Sequence, residues 1–545
     1  MTFPQIRPLI AIMSQDLPAP PSHSLPPAPF TSPVSILLLC SLFLILTGLR
    51  FFLSISFPLP VSGDEAYYWD WGRQLSWGYY SKPPLIGWLM AAAEALIGGE
   101  IGIRIFAAAF ASLGLASWTA FAYAAFGSRT AFWSLLLLAL SPASVALGLL
   151  LTIDAPLFAF TSLSVFFAYQ ILHRPSPAYP SPSALAIPPS VSWFCLVLFL
   201  GASHLTKQIA WFLPPLLAVA ALAAGFYQRK RFLQFALASF LSYLALLPTV
   251  LWNALNGWPL LGHTLSHLAT NPVSIGRQAA RFFEFLGSQF GLISPLTAGL
   301  IVATAIYTLP RLPKLQPALR FLWVLAFPGL IVFLLLALRQ RVLPNWPLVF
   351  YPPAIVALAA CLTLHQKWIK WSRPAVITGA VFAFLTAVLP LLITTTGLEK
   401  SRLDPLKRLR GWPDYAAVVS DFNAGLSDGP LPLIVYGHRY YVAQLAFYGS
   451  GHPQVFRWSN REIVDSQYEL WRIPAATLAG PSLLVIPQAD ASLPPEVAAS
   501  FSGVTPLGSH SYPDDSGVGS GLSFFRVVGW GASAPSSNNI APKSP

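Results

Sequence analysis

The chain has 545 residues, of which 55% are hydrophobic and only 10% are charged, and its mean hydropathy is +0.60. Soluble domains carry about 25% charged residues, so this composition excludes an ordinary soluble protein and predicts a polytopic membrane protein. The net charge of +12 does not indicate a nucleic-acid partner, because the basic residues lie mostly in short loops between apolar runs, where they determine topology.

The first residues, 1–33, are rich in proline and serine and predict a disordered cytoplasmic tail. Residues 34–396 are predicted to form a transmembrane domain, which begins with an apolar run at about 35–58. A short apolar stretch at 84–97 is better suited to a helix near the membrane interface. Together with the first run, ten further runs predict about eleven transmembrane helices: 101–126, 131–151, 155–172, 191–205, 209–227, 232–252, 286–309, 321–338, 346–364 and 375–396.

Lysine and arginine are concentrated in alternate loops, on the same side as the N-terminus, which predicts that this side is cytoplasmic. The remaining loops, and everything after residue 397, are then on the outer face. Residues 397–530 are predicted to form a small α/β domain, because LPLIVYG, PSLLVIP and LSFFRVV have the pattern of short buried strands. Residues 531–545 are predicted to be a second disordered tail.

The segment VSGDEAYYWDWGRQLSWGYYSKPPLIGWLM, residues 61–90, is the strongest candidate for a catalytic loop, within an outer region spanning 61–99. Asp64 and Glu65 are adjacent carboxylates, followed by aromatic residues typical of a membrane interface. Glu65 and the first of these aromatic residues, Tyr67, are predicted to bind the substrate. Lys82 precedes two prolines that fix the backbone. The segment predicts a carboxylate and a cation held at the membrane surface. The alternative for Asp64 is a solvated loop acid.

Asp154, in TIDAPL, is a second candidate acid at the end of an apolar run, where an ionisable group is costly and usually faces a cavity or a partner. It could instead cap the fourth span, since Asp favours that position and Pro156 suits a first helical turn. The two interpretations are compatible, and the sequence leaves both open.

Several cations and polar groups lie near predicted outer span ends. Preplaced cations stabilise a leaving phosphate, although binding to lipid headgroups is the alternative, and for Arg104 the favoured one. The candidate cations are Lys82, Arg104, Lys207, Arg339 and Arg341. The candidate polar and aromatic residues, for which helix capping and interface anchoring are the alternatives, are Asn253, Gln289, Asn345 and Trp346. His263 and His267 have the spacing of half a metal site, or are solvated.

The block GDEAYYWDWGRQLSWGYYSKPPL resembles the first outer loop of the GT-C glycosyltransferases of family 39, which include protein O-mannosyltransferases and bacterial lipid A glycosyltransferases. TIDAPL, HLTKQIAWFLPP, PTVLWNALNGW, EFLGSQFGLISP, RVLPNWP and DPLKRLRGW resemble further blocks of the bacterial branch, in order. The resemblance implies a lipid-phosphate sugar donor and an inverting transfer on the outer face. It also implies Asp64 as the catalytic or orienting acid, Asp154 as the second acid and Lys82 as the phosphate partner.

Many relatives carry an acid before the two prolines, where this chain has Ser81 and Lys82, so metal ligation at that point does not carry over. No cofactor is predicted with certainty, and a divalent metal stays open. The predicted function is transfer of a sugar from a polyprenyl phosphate to a lipid, glycan or protein hydroxyl, in the inner membrane of a bacterium. A lipid or sugar transporter, and a non-catalytic glycan-binding subunit, are the alternatives.

Overall fold

The structure is a computed structural model that describes residues 33–173, 187–266, 274–399, 404, 406–459, 464–512 and 518–530. The two predicted tails lie outside the described residues, apart from Pro33, which begins the first helix. The chain divides into two compact units. Of the described residues, those within 33–55, 104–246 and 274–387 belong to the first unit, and those within 56–103, 247–266 and 388–530 belong to the second.

Helices dominate the described chain. In order they are α1 Pro33–Ile55, α2 Gly63–Gly72, α3 Leu85–Leu96, α4 Gly99–Phe126, α5 Ser128–Ala139, α6 Pro142–Leu149, α7 Asp154–Leu172, α8 Pro189–His204, α9 Leu213–Ala224, α10 Arg229–Leu244, α11 Leu247–Leu255, α12 Pro259–Ser266, α13 Ile275–Ile293, α14 Pro295–Thr308, α15 Pro317–Ala337, α16 Tyr351–Leu364, α17 Ser372–Thr395, α18 Trp412–Ala424, α19 Arg439–Tyr448, α20 Ala475–Ala479 and α21 Pro495–Ala498.

Among the described residues, seven helices are long and apolar enough to cross a membrane. The pair α5 and α6, bent by 66°, makes an eighth if the two act as one span. Shorter apolar helices at Pro189–His204, Gln208–Ala224 and Leu348–Leu364 coincide with three further predicted spans. The prediction of a mainly α, polytopic membrane protein is therefore confirmed, whereas the number of spans is not fixed by length and composition.

One predicted span is wrong. Residues 286–309 do not form a single helix, because α13 ends at Ile293 and α14 begins at Pro295. Ser294 between them has a φ of 71°. Proline lacks a backbone N–H and disfavours the helical conformation in the residue before it, so the chain turns here. The apolar run therefore belongs to two helices.

The core of the first unit lies around α7 and α16, in which nearly every residue is buried. Both helices are apolar on all sides, as expected of helices enclosed by others. Aromatic rings fill the space beside α7, where Phe321 of α15 lies 6.0 Å from Tyr169 and 6.2 Å from Phe121, measured between ring centroids. The packing of these helices fixes the position at which α7 begins.

The second unit contains a five-stranded sheet of order β2-β1-β3-β5-β4, with β1 Leu433–Tyr436, β2 Val455–Trp458, β3 Pro481–Ile486, β4 Phe501–Ser511 and β5 Gly521–Trp530. β1 is parallel to β2 and β3, whereas β5 is antiparallel to β3 and β4. Helix α18 packs on the sheet through Phe422, whose ring stacks on Phe524 at 3.9 Å. Helix α19 packs against β2, α18 and α2. The predicted α/β character of this region is confirmed.

Candidate active site

Asp64 lies on a helix rather than in the loop that the sequence predicted. Helix α2 begins at Gly63, with Ser62 at its N-cap. The Ser62 hydroxyl accepts a hydrogen bond from the Glu65 backbone N–H at 3.3 Å, and Glu65 Oε2 accepts one from the Ser62 N–H at 2.8 Å. This reciprocal capping box satisfies two N–H groups that the helix leaves unpaired. Glu65 is fully buried and caps the helix, while Asp64 occupies the first turn, where the helix dipole favours a negative charge.

The carboxylate of Asp64 is held through one oxygen. The Tyr440 hydroxyl donates a hydrogen bond to Oδ1 at 3.1 Å, and Arg439 Nη2 lies 3.7 Å from the same oxygen. Within the described part of the chain, no hydrogen bond or ion pair falls on Oδ2. The Asp64 side chain is 43% exposed. One oxygen is thus oriented by its neighbours, and the other is available to a ligand.

Helix α19 holds the chain on which Asp64 is mounted. Gln444 Nε2 donates to the Val61 carbonyl at 2.9 Å, and the Val61 N–H donates to the Tyr448 hydroxyl at 2.8 Å. At Gly63, a Cβ would lie 2.5 Å from Cγ of Tyr440, closer than any side chain permits. Glycine at this position therefore allows the Tyr440 ring to approach the start of α2.

Arg439 and Tyr440 form a compact electrostatic group beside Asp64. The Arg439 guanidinium lies 5.3 Å from the Tyr67 ring centroid and 5.0 Å from that of Tyr440, which is favourable for a cation–π contact. Burial, and then the nearby charge of Asp64, raise the pKa of Tyr440 to about 12. Tyr440 therefore keeps its proton at neutral pH and donates it in the hydrogen bond to Asp64.

Tyr67 is buried, and its hydroxyl accepts a hydrogen bond from the backbone N–H of Gln467 at 2.5 Å. Burial raises the pKa of the Tyr67 hydroxyl. The ring also meets Trp71 at 4.8 Å between centroids. The Tyr67 hydroxyl, which was predicted to bind substrate, thus joins α2 to the segment around Gln467.

Lys82 lies half-buried between α2 and α3. Its carbonyl accepts a hydrogen bond from the Tyr79 N–H at 3.1 Å. The Tyr79 ring stacks on Trp71 at 4.5 Å with an interplanar angle of 11°, and both rings are fully buried. This packing fixes the return of the chain from α2, so the backbone of Lys82 has a defined position in the second unit.

In the first unit, Asp154, Lys207 and Asn345 come together. Asp154 is the first residue of α7, but the N-cap is Ile153 and no side chain caps the helix. The capping alternative is therefore wrong, because the carboxylate is engaged elsewhere. Lys207 Nζ donates to Asp154 Oδ1 at 2.8 Å, and Asn345 Nδ2 donates to Oδ2 at 2.6 Å. The Asp154 and Lys207 side chains are 8% and 13% exposed.

Arg104 does not reach lipid headgroups, so the alternative favoured for it is wrong. It is 2% exposed, and Nη1 donates to the Leu149 carbonyl at 2.6 Å, at the end of α6. Asn253 in the second unit is also buried, and its Oδ1 accepts a hydrogen bond from the Leu260 N–H at 3.0 Å. Both side chains satisfy backbone groups at helix ends.

The remaining predicted residues of the first unit have different surroundings. Gln289 Oε1 accepts a hydrogen bond from the buried Tyr351 hydroxyl at 2.8 Å. Arg339 is exposed, and Arg341 Nη2 lies 3.5 Å from Glu284 Oε1, with both side chains more than half exposed. Trp346 packs in a small apolar cluster near Phe333. None of these contacts assigns a chemical role to the residue.

A metal centre has no support in the described residues, where no group of three or more His, Cys, Asp or Glu side chains is placed to hold an ion. His263 lies in α12, with its ring 4.9 Å from that of Tyr80. The other half of the predicted histidine pair, His267, lies outside the described residues.

The sequence analysis missed Arg439 and Tyr440. A signal was available, because both follow directly after the buried strand β1, where the carboxyl ends of parallel strands often carry functional residues. His438 between strand and helix is the N-cap of α19, and its ring nitrogen accepts from the Tyr440 N–H at 3.3 Å. This strand–turn–helix junction orients the two side chains that contact Asp64.

Comparison with known proteins identifies related chains. Residues 81–252 match a family model described as dolichyl-phosphate-mannose-protein mannosyltransferase. Lipid A galacturonosyltransferase RgtD of Rhizobium johnstonii is 24% identical over 329 residues, which cover 59% of this chain and 64% of RgtD, so the match spans less than two thirds of that relative.

Two solved structures of ArnT from Cupriavidus metallidurans are similar in fold. The form bound to undecaprenyl phosphate has a TM-score of 0.61 and 18% identity, and the match covers 89% of this chain and 97% of ArnT. The apo form has the same TM-score with 17% identity, covering 90% and 98%.

The fold and the sequence matches define a membrane-spanning protein of the GT-C class. The family model matched by residues 81–252 and the similarity to RgtD agree with the resemblance to family 39 glycosyltransferases found in the sequence, which is thereby confirmed.

Proposed function

We propose that the protein transfers a sugar from a polyprenyl phosphate to a hydroxyl group of a lipid, glycan or protein. The matched family model and RgtD are both named for glycosyl transfer, and the ArnT structure contains undecaprenyl phosphate. The observation that carries the proposal is Asp64, a half-exposed carboxylate with one oxygen fixed by Tyr440 and Arg439.

Asp64 is the general base in this proposal. Its Oδ2 accepts the proton of the acceptor hydroxyl as that oxygen bonds to the anomeric carbon of the sugar. The bond from the anomeric carbon to the phosphate oxygen breaks, and its electron pair leaves with the polyprenyl phosphate. Attack opposite to the leaving group inverts the anomeric configuration. A positioned base of this kind contributes roughly 10²–10⁴-fold in rate.

The leaving phosphate gains negative charge and needs a cation. Lys82 is proposed for this role, because its backbone is fixed by the packed return from α2. Lys207 is the second candidate. Within the described part of the chain, only Asp154 accepts a hydrogen bond from the Lys207 ammonium group, so the remaining N–H donors of that group can bind a ligand. Asp154 and Asn345 would then act as positioning residues for Lys207.

The protein is proposed to lie in a bacterial inner membrane, with the N-terminus in the cytoplasm and residues 397–530 outside. The distribution of lysine and arginine supports this orientation. Single cysteines at the exposed positions Ser427 and Lys230 provide the test. A membrane-impermeant thiol reagent is expected to label the Ser427→Cys variant, and not Lys230→Cys, in intact cells. The opposite labelling would overturn the orientation.

The transfer reaction is tested with purified protein in lipid nanodiscs, a set of undecaprenyl-phosphate sugars and a bacterial lipid and glycan extract as acceptor. The expected result is release of undecaprenyl phosphate together with a matching mass increase in an acceptor. A transporter would move the donor across a vesicle membrane without releasing the phosphate, and a glycan-binding subunit would release nothing. Either outcome with every donor would contradict the proposal.

A further inference from the structure

The second unit contains a polar cavity beside the C-terminal end of α2. Its volume is about 270 Å³, many times the ~10–15 Å³ that one water molecule needs, so it has room for a ring-sized ligand. Polar and aromatic side chains line it together: Asp70, Arg73, Gln454, Phe456, Tyr468 and Trp471.

The polar wall of the cavity is already ordered. Asp70 is buried; its Oδ2 accepts a hydrogen bond from the Tyr468 hydroxyl at 2.9 Å, and its Oδ1 accepts one from Arg73 Nη1 at 3.2 Å. The Arg73 guanidinium also donates to the carbonyls of His452 at 2.8 Å and Pro453 at 3.1 Å. A ligand therefore meets donors and acceptors that lose little freedom on binding.

The two arginines that line the cavity are each paired with carboxylates, which selects against an anionic ligand. Arg73 pairs with Asp70, and Arg457, which also lines the cavity, pairs with Asp465 and Glu469. Among the described residues that line the cavity, each arginine already has a carboxylate partner, which disfavours a phosphate or a carboxylate ligand. The aromatic wall is formed by Tyr468 and Trp471, whose ring centroids are 5.4 Å apart.

We propose that this cavity binds a neutral saccharide unit. A sugar ring presents apolar C–H faces to aromatic side chains and hydroxyl groups to carboxylate, amide and guanidinium groups, and the cavity supplies both kinds of partner. Gln454 is exposed at the edge of the cavity and offers both a donor and an acceptor. The saccharide binds between the aromatic wall and the Asp70–Arg73 pair.

The position of Asp70 separates this site from the chemical step. Asp70 follows Asp64 by six residues on α2, which places it about 9 Å along the helix and about 120° around it. A saccharide bound here is not the unit whose bond is made at Asp64. Assigning it to an acceptor glycan of more than one unit rests on the proposed function, whereas the binding itself does not.

The ionisation of Asp70 gives the site a pH dependence. Burial raises the pKa of Asp70 to about 6, although Arg73 and the Tyr468 hydroxyl act in the opposite direction. Within the described residues, the other charged group that lines the cavity is Arg457 of β2, which pairs with Asp465 and Glu469. A carboxylate accepts hydrogen bonds from sugar hydroxyls more strongly than a neutral carboxyl group does. Affinity is therefore expected to be higher above this pKa and to decrease on acidification below it.

The test is saturation-transfer-difference NMR on the full chain in nanodiscs, with methyl glycosides of glucose, galactose, mannose and N-acetylglucosamine as probes and no lipid donor. A saturation-transfer signal is expected for at least one probe. This signal should be lost in Trp471→Ala, weaker in Gln454→Ala and lower on acidification. Trp77→Ala, at an exposed tryptophan of the same unit, and Asp64→Asn are the controls, and both are expected to keep the signal.

If none of the probes gives a saturation-transfer signal with the unmodified protein, the proposal is overturned. A signal that survives both Trp471→Ala and Gln454→Ala would overturn it as well. Gln454 is exposed, so its variant is expected to fold even where Trp471→Ala does not. Saccharide binding without transferase activity would contradict the proposed function but not the proposed saccharide site. Transferase activity without saccharide binding would contradict the site but not the function.

Discussion

The Tyr440 hydroxyl donates a hydrogen bond to Asp64 Oδ1 at 3.1 Å, although 376 positions separate the two residues in the sequence. Tyr440 lies in the first turn of the helix that follows strand β1, and Asp64 lies in the first turn of the helix that follows the first apolar segment. The sheet-containing unit thus orients the carboxylate of a residue located near the start of the chain.

Tyr440→Phe is expected to lower kcat and leave KM nearly unchanged. The substitution removes the hydroxyl that orients Asp64 and keeps the ring that packs on Gly63. A hydrogen bond to a charged group contributes roughly 1.5–3 kcal/mol, so kcat should fall about 10–100-fold. Tyr441→Phe is the matched control, because its hydroxyl donates to the Val518 carbonyl and not to Asp64. Equal effects of the two variants in steady-state kinetics would contradict a positioning role for Tyr440.

Gly63→Ala is expected to reduce activity because the added Cβ would lie 2.5 Å from the Tyr440 ring and force it away from Asp64. Overpacking of this kind costs about 1–3 kcal/mol of stability. Gly262→Ala, in the same unit with nothing within 4 Å of the added Cβ, should behave like the unmodified protein. Thermal unfolding and kcat together test the prediction, and an active, equally stable Gly63→Ala protein would contradict it.

Lys207→Met is expected to destabilise the protein by about 3–5 kcal/mol, because it leaves the buried Asp154 carboxylate without its cation. Combining it with Asp154→Asn should recover most of that loss, since no unpaired charge then stays buried. The control is the pair Arg341 and Glu284, whose exposed side chains should contribute less than about 1 kcal/mol. Additive losses for Asp154 and Lys207 in a double-mutant unfolding cycle would show that the two are not coupled.

Lys82→Met is expected to weaken donor binding and slow transfer, because it keeps the apolar stem and removes the charge proposed to meet the phosphate. Lys82→Arg should retain more activity, since the charge is kept and a two-point geometry is not required. Lys367→Met, at an exposed lysine of the first unit, serves as the control. If Lys82→Met binds undecaprenyl phosphate and turns over like the unmodified protein, Lys207 becomes the phosphate-binding candidate.

The apolar runs of the sequence were sufficient to predict the class of fold, because membrane spans need long apolar segments that differ sharply from loops. Strands β1, β3 and β5 were predicted for the same reason, since each is a short buried run. Strand β2 has only four residues with an arginine among them, and β4 is mostly exposed and interrupted by a bulge between Pro506 and Gly508. Neither strand therefore has the short buried apolar run that identified β1, β3 and β5 in the sequence.

The candidate site was predicted in parts. Asp154, Lys207 and Asn345 were each selected separately, but nothing local shows that they meet, since 53 and 191 positions separate Asp154 from its two partners. The helical start at Asp64 was detectable, because Ser62 and Glu65 have the spacing of a capping box. The dense aromatic residues after it favoured an interfacial loop instead. Arg439 and Tyr440 could not be assigned to the site from the sequence, because they meet Asp64 only through a tertiary contact.

In the proposed reaction, Asp64 accepts the proton of the acceptor hydroxyl. Asp64→Asn keeps the size of the side chain and removes its capacity as a base. Glu65→Gln is the matched control, because it removes a neighbouring charge while glutamine still completes the capping box with Ser62.

The decisive measurement is kcat for sugar transfer by the two purified variants at equal amounts in nanodiscs. If Asp64 is the base, Asp64→Asn loses about 10²-fold or more in kcat, whereas Glu65→Gln turns over at nearly the unmodified rate. Full activity of Asp64→Asn, or an equal loss in both variants, would contradict this role of Asp64.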